Sequence, residues 1–205
     1  IYYRAARRDL RRNDIRVGYS AALGGTVLIF ILGGFVVEDL EQVKFFLRDP
    51  ENNADDFESS DAVIWIDWRE EDEYILQYFN NHLPEDRKIR FEVADSDTER
   101  GFDIILEKDG TRTPIPYDDD YASRDVTLIA AQEYLSPAYQ IRWYADSLGS
   151  DTLGFCLLPS GEWEALEREF GAEKVQFHFA PISPDSRMFD LDMDEIFDLL
   201  DKRGT

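Results

Sequence analysis

Residues 139–171 constrain the fold more than any other stretch, because they contain a complete strand, turn, strand and helix. Apolar and polar side chains alternate from residue 141 to residue 145, with the period of two that is typical of a half-buried strand. Residues 146–151 are rich in Asp, Ser and Gly, which favour a turn. Residues 153–158 are almost continuously apolar, so we expect them to form a central strand with both faces buried.

A helix is predicted after this second strand. Ser160 is a favourable N-cap residue, and Gly171 is a favourable residue just beyond the end of a helix. Trp163, Leu166 and Phe170 recur at positions i, i+3 and i+7, which places them on one apolar face. We therefore expect Trp163 to anchor this helix in the core.

A partial repeat of this unit lies about fifty residues earlier, in residues 75–106. An apolar helix face there precedes a hairpin, and Ile89-Arg90-Phe91 corresponds to Ile141-Arg142-Trp143. The correspondence predicts an internal α-β-β duplication within one pseudo-symmetric sheet. The alternative is that two unrelated hairpins have similar turns.

The complete order of predicted elements is β-α-β-β-α-β-β-α-β-α. Residues 62–68 and 174–180 are further predicted strands, with the His178 side chain facing outward from the second. Residues 192–202 form a predicted C-terminal helix. This order is typical of an α+β fold with a mainly antiparallel sheet and packed helices.

Residues 17–37 contain no charged side chain over 21 residues, which is long enough to cross a bilayer as a helix. An arginine-rich segment precedes this run and acidic residues follow it, so the positive-inside rule predicts a cytoplasmic N-terminus. We therefore expect a single-pass protein of the inner (plasma) membrane with an extracytoplasmic globular domain. The alternative is that residues 26–32 form a buried strand of a soluble sheet.

Four segments follow from this topology. Residues 1–16 form a basic cytoplasmic flank, and residues 17–37 form the transmembrane helix, which contacts the lipid bilayer. Residues 38–60 are expected to contain a helix and a polar linker, and residues 61–205 an α+β globular domain.

The acidic charge restricts the class of partner. Six arginines against Asp9 and Asp14 give residues 1–16 a charge of +4, which leaves −26 on the rest of a chain whose total is −22. Such an acidic body repels nucleic acid and anionic lipid, so no nucleic-acid partner is expected. A basic protein is the expected partner, and solubility alone is the alternative explanation of the charge.

Motifs for catalysis are absent from the sequence. It contains no glycine-rich phosphate loop, no zinc-binding pattern and no nucleophile elbow, so we predict no enzyme and no cofactor. Cys156 and His178 could form a dyad, but Cys156 lies in an apolar strand where its thiol is expected to be buried. Asp146 and Asp151 flank one turn, where turn-forming carboxylates are common.

The acidic clusters at residues 118–120 and 190–194 could bind a divalent cation, but a capped acidic helix explains the second cluster better. No metal site is predicted. A partner is instead expected to contact loop acids and nearby exposed tyrosines. The candidate binding residues are Asp118, Asp119, Asp120, Tyr117, Tyr121 and Tyr144.

The segment IRWYADSLGSDTLGFCLLPSGEWEALEREFG, residues 141–171, resembles a stretch of the small acidic bacterial immunity proteins that are encoded beside secreted toxins. The resemblance covers mainly residues 139–171 and implies a non-enzymatic domain that binds and neutralises a cognate toxin. It assigns no role to any single residue. The alternative is an accessory subunit of a larger membrane complex, because Ala21 and Gly25 could form a packing face on the predicted transmembrane helix.

Overall fold

The computed structural model describes residues 34–118 and 120–204, with side chains from residue 38 onward. Within these residues, seven α-helices and two antiparallel sheets form an α+β fold, as the sequence predicts. The helices are α1 (Gly34–Arg48), α2 (Pro50–Glu58), α3 (Asp72–Asn81), α4 (Arg124–Leu135), α5 (Ser160–Phe170), α6 (Ala172–His178) and α7 (Met193–Arg203). The strands are β1 (Ile64–Asp67), β2 (Arg90–Asp95), β3 (Phe102–Lys108), β4 (Thr111–Pro114), β5 (Tyr139–Tyr144), β6 (Thr152–Pro159) and β7 (Phe179–Pro181).

The central sheet has the strand order β1-β6-β5-β7, and every pairing in it is antiparallel. Strand β6 lies inside this sheet and is buried on both faces, which confirms the central strand predicted at residues 153–158. Phe155 and its alternate neighbours pack into one core, and Cys156 and Leu158 pack into another. An uninterrupted apolar run is therefore required by the position of β6.

The first core lies between the central sheet, helices α3 and α4, and the second sheet. It is mainly aliphatic, with Ile66, Leu76, Leu128 and Leu153 among its buried members. Helix α3 supplies this core through apolar residues that recur at helical spacing.

The second core lies on the opposite face of the central sheet, beneath α1, α2, α5 and α6, and is rich in aromatic rings. The Phe46 and Phe57 ring centroids are 4.7 Å apart, and those of Trp163 and Phe179 are 5.4 Å apart. Trp163 is fully buried, as its position on the apolar face of α5 predicts. Close ring contacts of this kind stabilise beyond their buried area.

Helix α2 occupies the segment where a polar linker is predicted. Pro50 is compatible with the first turn of a helix, and Phe57 at the other end is fully buried in the second core. One anchoring aromatic residue therefore fixes a helix whose other side chains are mostly polar.

The strand predicted at residues 174–180 is wrong for most of its length, because residues 172–178 form α6. Val175 and Phe179 are both buried and four residues apart, a spacing that fits one helix face as well as an alternating strand. Only the short strand β7 follows, and it pairs with β5.

The second sheet is a meander with the order β2-β3-β4, so the hairpins do not join one pseudo-symmetric sheet. Asp109 and Gly110 connect β3 to β4 with positive φ angles of 52° and 76°. A two-residue Asp-Gly turn of this kind matches the twist of paired strands. Strand β4 was not predicted, because it is short, polar, exposed and ends in proline.

Helices α3 and α4 nevertheless meet their following strands in the same way. The Asn80 Oδ1 atom accepts the Ile89 N–H at 2.7 Å, and the Gln132 Oε1 atom accepts the Ile141 N–H at 2.6 Å. Each amide lies nine residues before the isoleucine that it binds, and both isoleucines are buried in the first core.

The predicted transmembrane segment lies mostly outside the described residues. Its last four residues, 34–37, begin α1 and are continuous with the rest of that helix. In the part of the chain that the structure describes, no helix has the length and apolar character needed to cross a membrane.

Candidate functional site

Five of the six predicted binding residues belong to the segment between β4 and α4, here called the acidic loop (residues 117–121). The Asp118 and Asp120 side chains are exposed, and Tyr121 is 58% exposed. Asp119 lies outside the described residues. Arg100 holds the start of the loop, because its guanidinium lies 5.2 Å from the Tyr117 ring centroid and donates to the Asp118 carbonyl oxygen.

A buried polar network lies beneath the acidic loop. The Tyr117 hydroxyl lies 2.7 Å from Thr127 Oγ1, and the Thr127 hydroxyl donates to Asp72 Oδ1. Burial raises the pKa of the Asp72 carboxyl, although the Thr127 hydrogen bond and the Arg124 charge oppose this shift. The network joins the first turn of α3 to α4, so Tyr117 supports the loop rather than standing free on the surface.

Tyr144 was predicted as an exposed binding residue, and this prediction is wrong. Its side chain is 1% exposed in the second core, and its hydroxyl donates to Glu58 Oε1 at 3.1 Å. Burial, with the nearby Asp146 and Glu58 charges, raises the pKa of Tyr144. The alternation in β5 suggested one buried face, but helices cover the face that Tyr144 shares with Arg142.

The acidic cluster at residues 190–194 is organised by hydrogen bonds within the protein. Asp192 Oδ1 accepts the Glu195 N–H at 2.8 Å, and Glu195 accepts the Asp192 N–H at 2.9 Å, which forms a capping box at the start of α7. Asp190 is held by the buried Asp125, whose carboxylate accepts its N–H at 3.1 Å. The predicted capped helix is therefore confirmed.

His178 pairs with a carboxylate. Its Nδ1 atom lies 2.6 Å from Asp146 Oδ2, and Arg203 donates to the other oxygen of the same carboxylate. His178 ends α6 and is partly buried against Phe46, so the outward-facing strand position predicted for it is wrong. Cys156 is buried as predicted, and burial raises the pKa of its thiol well above the ordinary value.

A groove of about 560 Å³ lies between the start of α1, the end of α2, β1 and the C-terminal half of α3. We call it the acid–aromatic cleft. Of the residues that the structure describes, its lining includes four carboxylates and two aromatic rings but no lysine or arginine. These residues are Glu38, Asp39, Glu58, Asp61, Trp65 and Tyr78.

Hydrogen bonds fix the walls of the acid–aromatic cleft. The Trp65 Nε1–H donates to the Glu58 carbonyl oxygen at 3.1 Å, which holds the half-buried indole in place. His82 Nδ1 lies 3.0 Å from Oδ2 of the buried Asp39. Tyr78 donates to Glu70 at 2.9 Å, and burial together with this carboxylate raises the pKa of Tyr78 to about 12. Contacts within the protein therefore hold three of the cleft side chains, Trp65, Tyr78 and Asp39.

Two other grooves of similar size differ in charge. A groove of about 480 Å³ beside the turn between α4 and β5 is lined by four cationic side chains, Arg87, Lys88, Arg90 and Lys108, together with three carboxylates. A groove of about 460 Å³ at the start of α3 contains Arg69 and Arg124 together with four carboxylates. The acid–aromatic cleft differs from both, because its described lining has carboxylates and no lysine or arginine.

The cleft carboxylates are dispersed around the groove. In residues 34–118 and 120–204, no group of three His, Cys, Asp or Glu side chains could hold a metal ion. Four residues of the cleft were not predicted as binding residues, namely Glu58, Trp65, Tyr78 and His82. The signal in the sequence that indicates them is the mixture of acidic and aromatic residues around β1.

No protein-family model, curated protein or solved structure matches the chain. The resemblance to immunity-type proteins therefore stays a prediction.

Proposed function

We propose that this protein is a membrane-anchored, acidic, non-enzymatic domain that binds and neutralises a basic protein toxin, as immunity-type proteins do. The observation that carries the proposal is where the charge lies. Among the described residues, Asp39, Asp72 and Asp125 are the buried acids, and the other carboxylates reach solvent to some degree. Nearly all of the negative charge is therefore available to an approaching partner.

This arrangement suits recognition of a basic surface. Complementary charge raises the rate of association and suppresses wrong partners, whereas affinity comes mainly from well-packed anchors at the interface. Exposed aromatic side chains near the acids can serve as such anchors, and Trp68 and Tyr121 are 56% and 58% exposed. Binding of this kind needs no catalytic group and no cofactor.

An accessory subunit of a larger membrane complex is the second candidate. It is favoured by an exposed apolar face on α7, where Met193 and Phe197 are 61% and 57% exposed and lie four residues apart. Stable complexes bury apolar faces of this kind. Affinity purification of the full chain from detergent distinguishes the two candidate functions. The first predicts that a toxin co-purifies, and the second predicts a set of complex subunits.

Association kinetics test the proposed function once the partner is isolated. We expect the association rate of the wild type to fall steeply with salt, and neutralising Asp118, Asp119 and Asp120 to Asn to slow association further. A triple change on α2, Glu51→Gln with Asp55→Asn and Asp56→Asn, alters the net charge equally and is the control. An association rate that does not depend on salt would contradict the proposal.

We also infer the internal duplication that the sequence predicts. Its support is the equivalent contact of Asn80 with Ile89 and of Gln132 with Ile141. The two α-β units then contribute their strands to different sheets. Exchanging the amide between the units, as Asn80→Gln with Gln132→Asn, tests whether the two contacts are interchangeable in thermal stability.

A further inference from the structure

We propose that the acid–aromatic cleft is the receptor for a single arginine or lysine side chain of the basic partner. This inference rests on the proposed function and adds to it the place and the chemistry of recognition. The groove of about 560 Å³ is large enough to admit a long side chain together with part of the backbone that carries it.

Charge selects this groove over the other two. Its lining carries Glu38, Asp39, Glu58 and Asp61, while the described part of the chain contributes no lysine or arginine to it. Asp39 already faces His82, so the three remaining carboxylates are the ones that a cation would meet. Glu38 and Asp61 are exposed and lie where a partner would enter.

Glu58 is the residue best placed to bind the incoming charge. Its Oε1 atom accepts the Tyr144 hydroxyl, and its backbone carbonyl accepts the Trp65 indole. Among the described residues, no group donates to its Oε2 atom, which can therefore accept from a guanidinium or ammonium group. A hydrogen bond between two charged groups is roughly twice as strong as a neutral one.

The aromatic walls favour an organic cation. Trp65 and Tyr78 line the groove, and both rings are held by hydrogen bonds from their polar atoms. A cation over the face of a tryptophan ring is attracted by the ring quadrupole, and a planar guanidinium can also stack on it. A metal ion suits the groove less well, because no three carboxylate or imidazole groups among the described residues converge on one point.

The test uses the full chain in detergent micelles with ¹⁵N-labelled tryptophan indoles, observed by NMR. Trp65→Phe assigns the Trp65 indole signal. The probe is N-acetyl-arginine methylamide, and N-acetyl-citrulline methylamide is its uncharged counterpart of nearly equal shape. We expect the arginine probe to shift the Trp65 signal saturably in the millimolar range, and the citrulline probe to leave it in place.

Substitutions locate the binding site. Glu58→Gln keeps an acceptor for the Tyr144 hydroxyl and removes the charge. It should therefore lower the affinity for the arginine probe by about tenfold or more. Glu169→Gln removes one exposed charge from α5, outside the cleft lining, and should change the affinity less than twofold. The indole signals of Trp143 and Trp163 report whether each variant is folded. Asp61→Asn, at an exposed position on the cleft, replaces Glu58→Gln if that variant does not fold.

A Trp65 signal that does not respond to arginine, or that responds equally to citrulline, would overturn the inference. Equal weakening of arginine binding by Glu58→Gln and by Glu169→Gln would do the same, because binding would then follow net charge rather than the cleft. The proposed function fails by a different result, namely association with the isolated partner that does not depend on salt. The two ideas are therefore tested separately.

Discussion

Trp163 occupies the middle of the second core, where its indole N–H donates to the Gln140 carbonyl at 2.9 Å. The Arg142 guanidinium lies over its ring at 4.5 Å. We expect Trp163→Ala to lower the free energy of unfolding by about 3–5 kcal/mol, because the cavity left behind cannot close fully. Urea unfolding measures the change. Trp68→Ala removes an exposed ring and is the control, so equal stabilities of the two variants would contradict the prediction.

Asp72 gives the stability a defined pH dependence. Burial raises the pKa of its carboxyl above the ordinary value of 3.8, so the folded state binds this proton more tightly than the unfolded state. The stability contributed by this proton is fully present below pH 3.8 and is lost as the pH rises through the folded pKa. We therefore expect the wild type to lose stability relative to Asp72→Asn as the pH rises from 3.8 through the folded pKa of Asp72.

Urea unfolding of both proteins at a series of pH values from about 4 to about 7 checks this prediction. Asp61→Asn removes one exposed charge and corrects for the change in net charge. A wild type that gains stability relative to Asp72→Asn as the pH rises would show that burial does not dominate at this carboxyl.

Single residues also show where sequence reasoning succeeds. Trp163 was assigned to the core because its neighbours Leu166 and Phe170 follow the period of one helix face. Tyr144 was misassigned because alternation in a strand identifies two faces and does not reveal that both are covered. The coverage comes from α1 and α2, which lie about ninety residues earlier in the chain.

At the scale of elements, β6 pairs with β1 at Gly154, a position that has no room for a side chain. A Cβ atom on Gly154 would lie 2.9 Å from Val63 Cγ1 and 3.2 Å from Tyr144 Cδ1. We expect Gly154→Ala to cost about 1–3 kcal/mol of stability through overpacking. Gly161→Ala in α5 meets no atom within 4 Å and should cost nothing. Thermal unfolding compares the two, and equal melting temperatures would contradict the close contact.

Elements with strong local signals were predicted well, and elements fixed by distant contacts were not. The strand β5, the strand β6 and the helix α5 each have a clear period and clear end signals. Helix α2 depends on one buried aromatic residue, and α6 has a spacing that suits two structures equally. Tertiary packing decides such cases, so the sequence alone leaves them open.

At the scale of the whole molecule, the predicted topology places the globular domain outside the cytoplasm. Asp55 lies exposed on α2, so an Asp55→Cys variant should react with an impermeant maleimide from the periplasmic side. The native Cys156 is buried and has a raised thiol pKa, so the wild-type protein is a suitable low-background control. Labelling only after cell lysis would contradict the topology.

The candidate site is the part of the molecule that sequence reasoning found least well. The acidic loop was predicted because its residues are consecutive in the chain. Its acids can therefore be identified from the sequence without knowledge of the fold. The acid–aromatic cleft joins residues from α1, α2, β1 and the end of α3, which are brought together only by the tertiary fold. The contact between Asp39 and His82 spans more than forty positions, which no local pattern encodes.

The pairing of β1 with β6 determines the order in which the chain can fold during its synthesis. Ile64 is paired with Phe155, whereas the three strands of the second sheet are consecutive in the chain and close early. At typical translation rates, β1 emerges from the ribosome on the order of ten seconds before its partner strand exists. Its isoleucines and the apolar sides of α1 and α2 are unpaired throughout that interval, which is when a chaperone would be needed. Strand β6 contributes side chains to both cores, so we expect neither core to be complete before β6 has been synthesised.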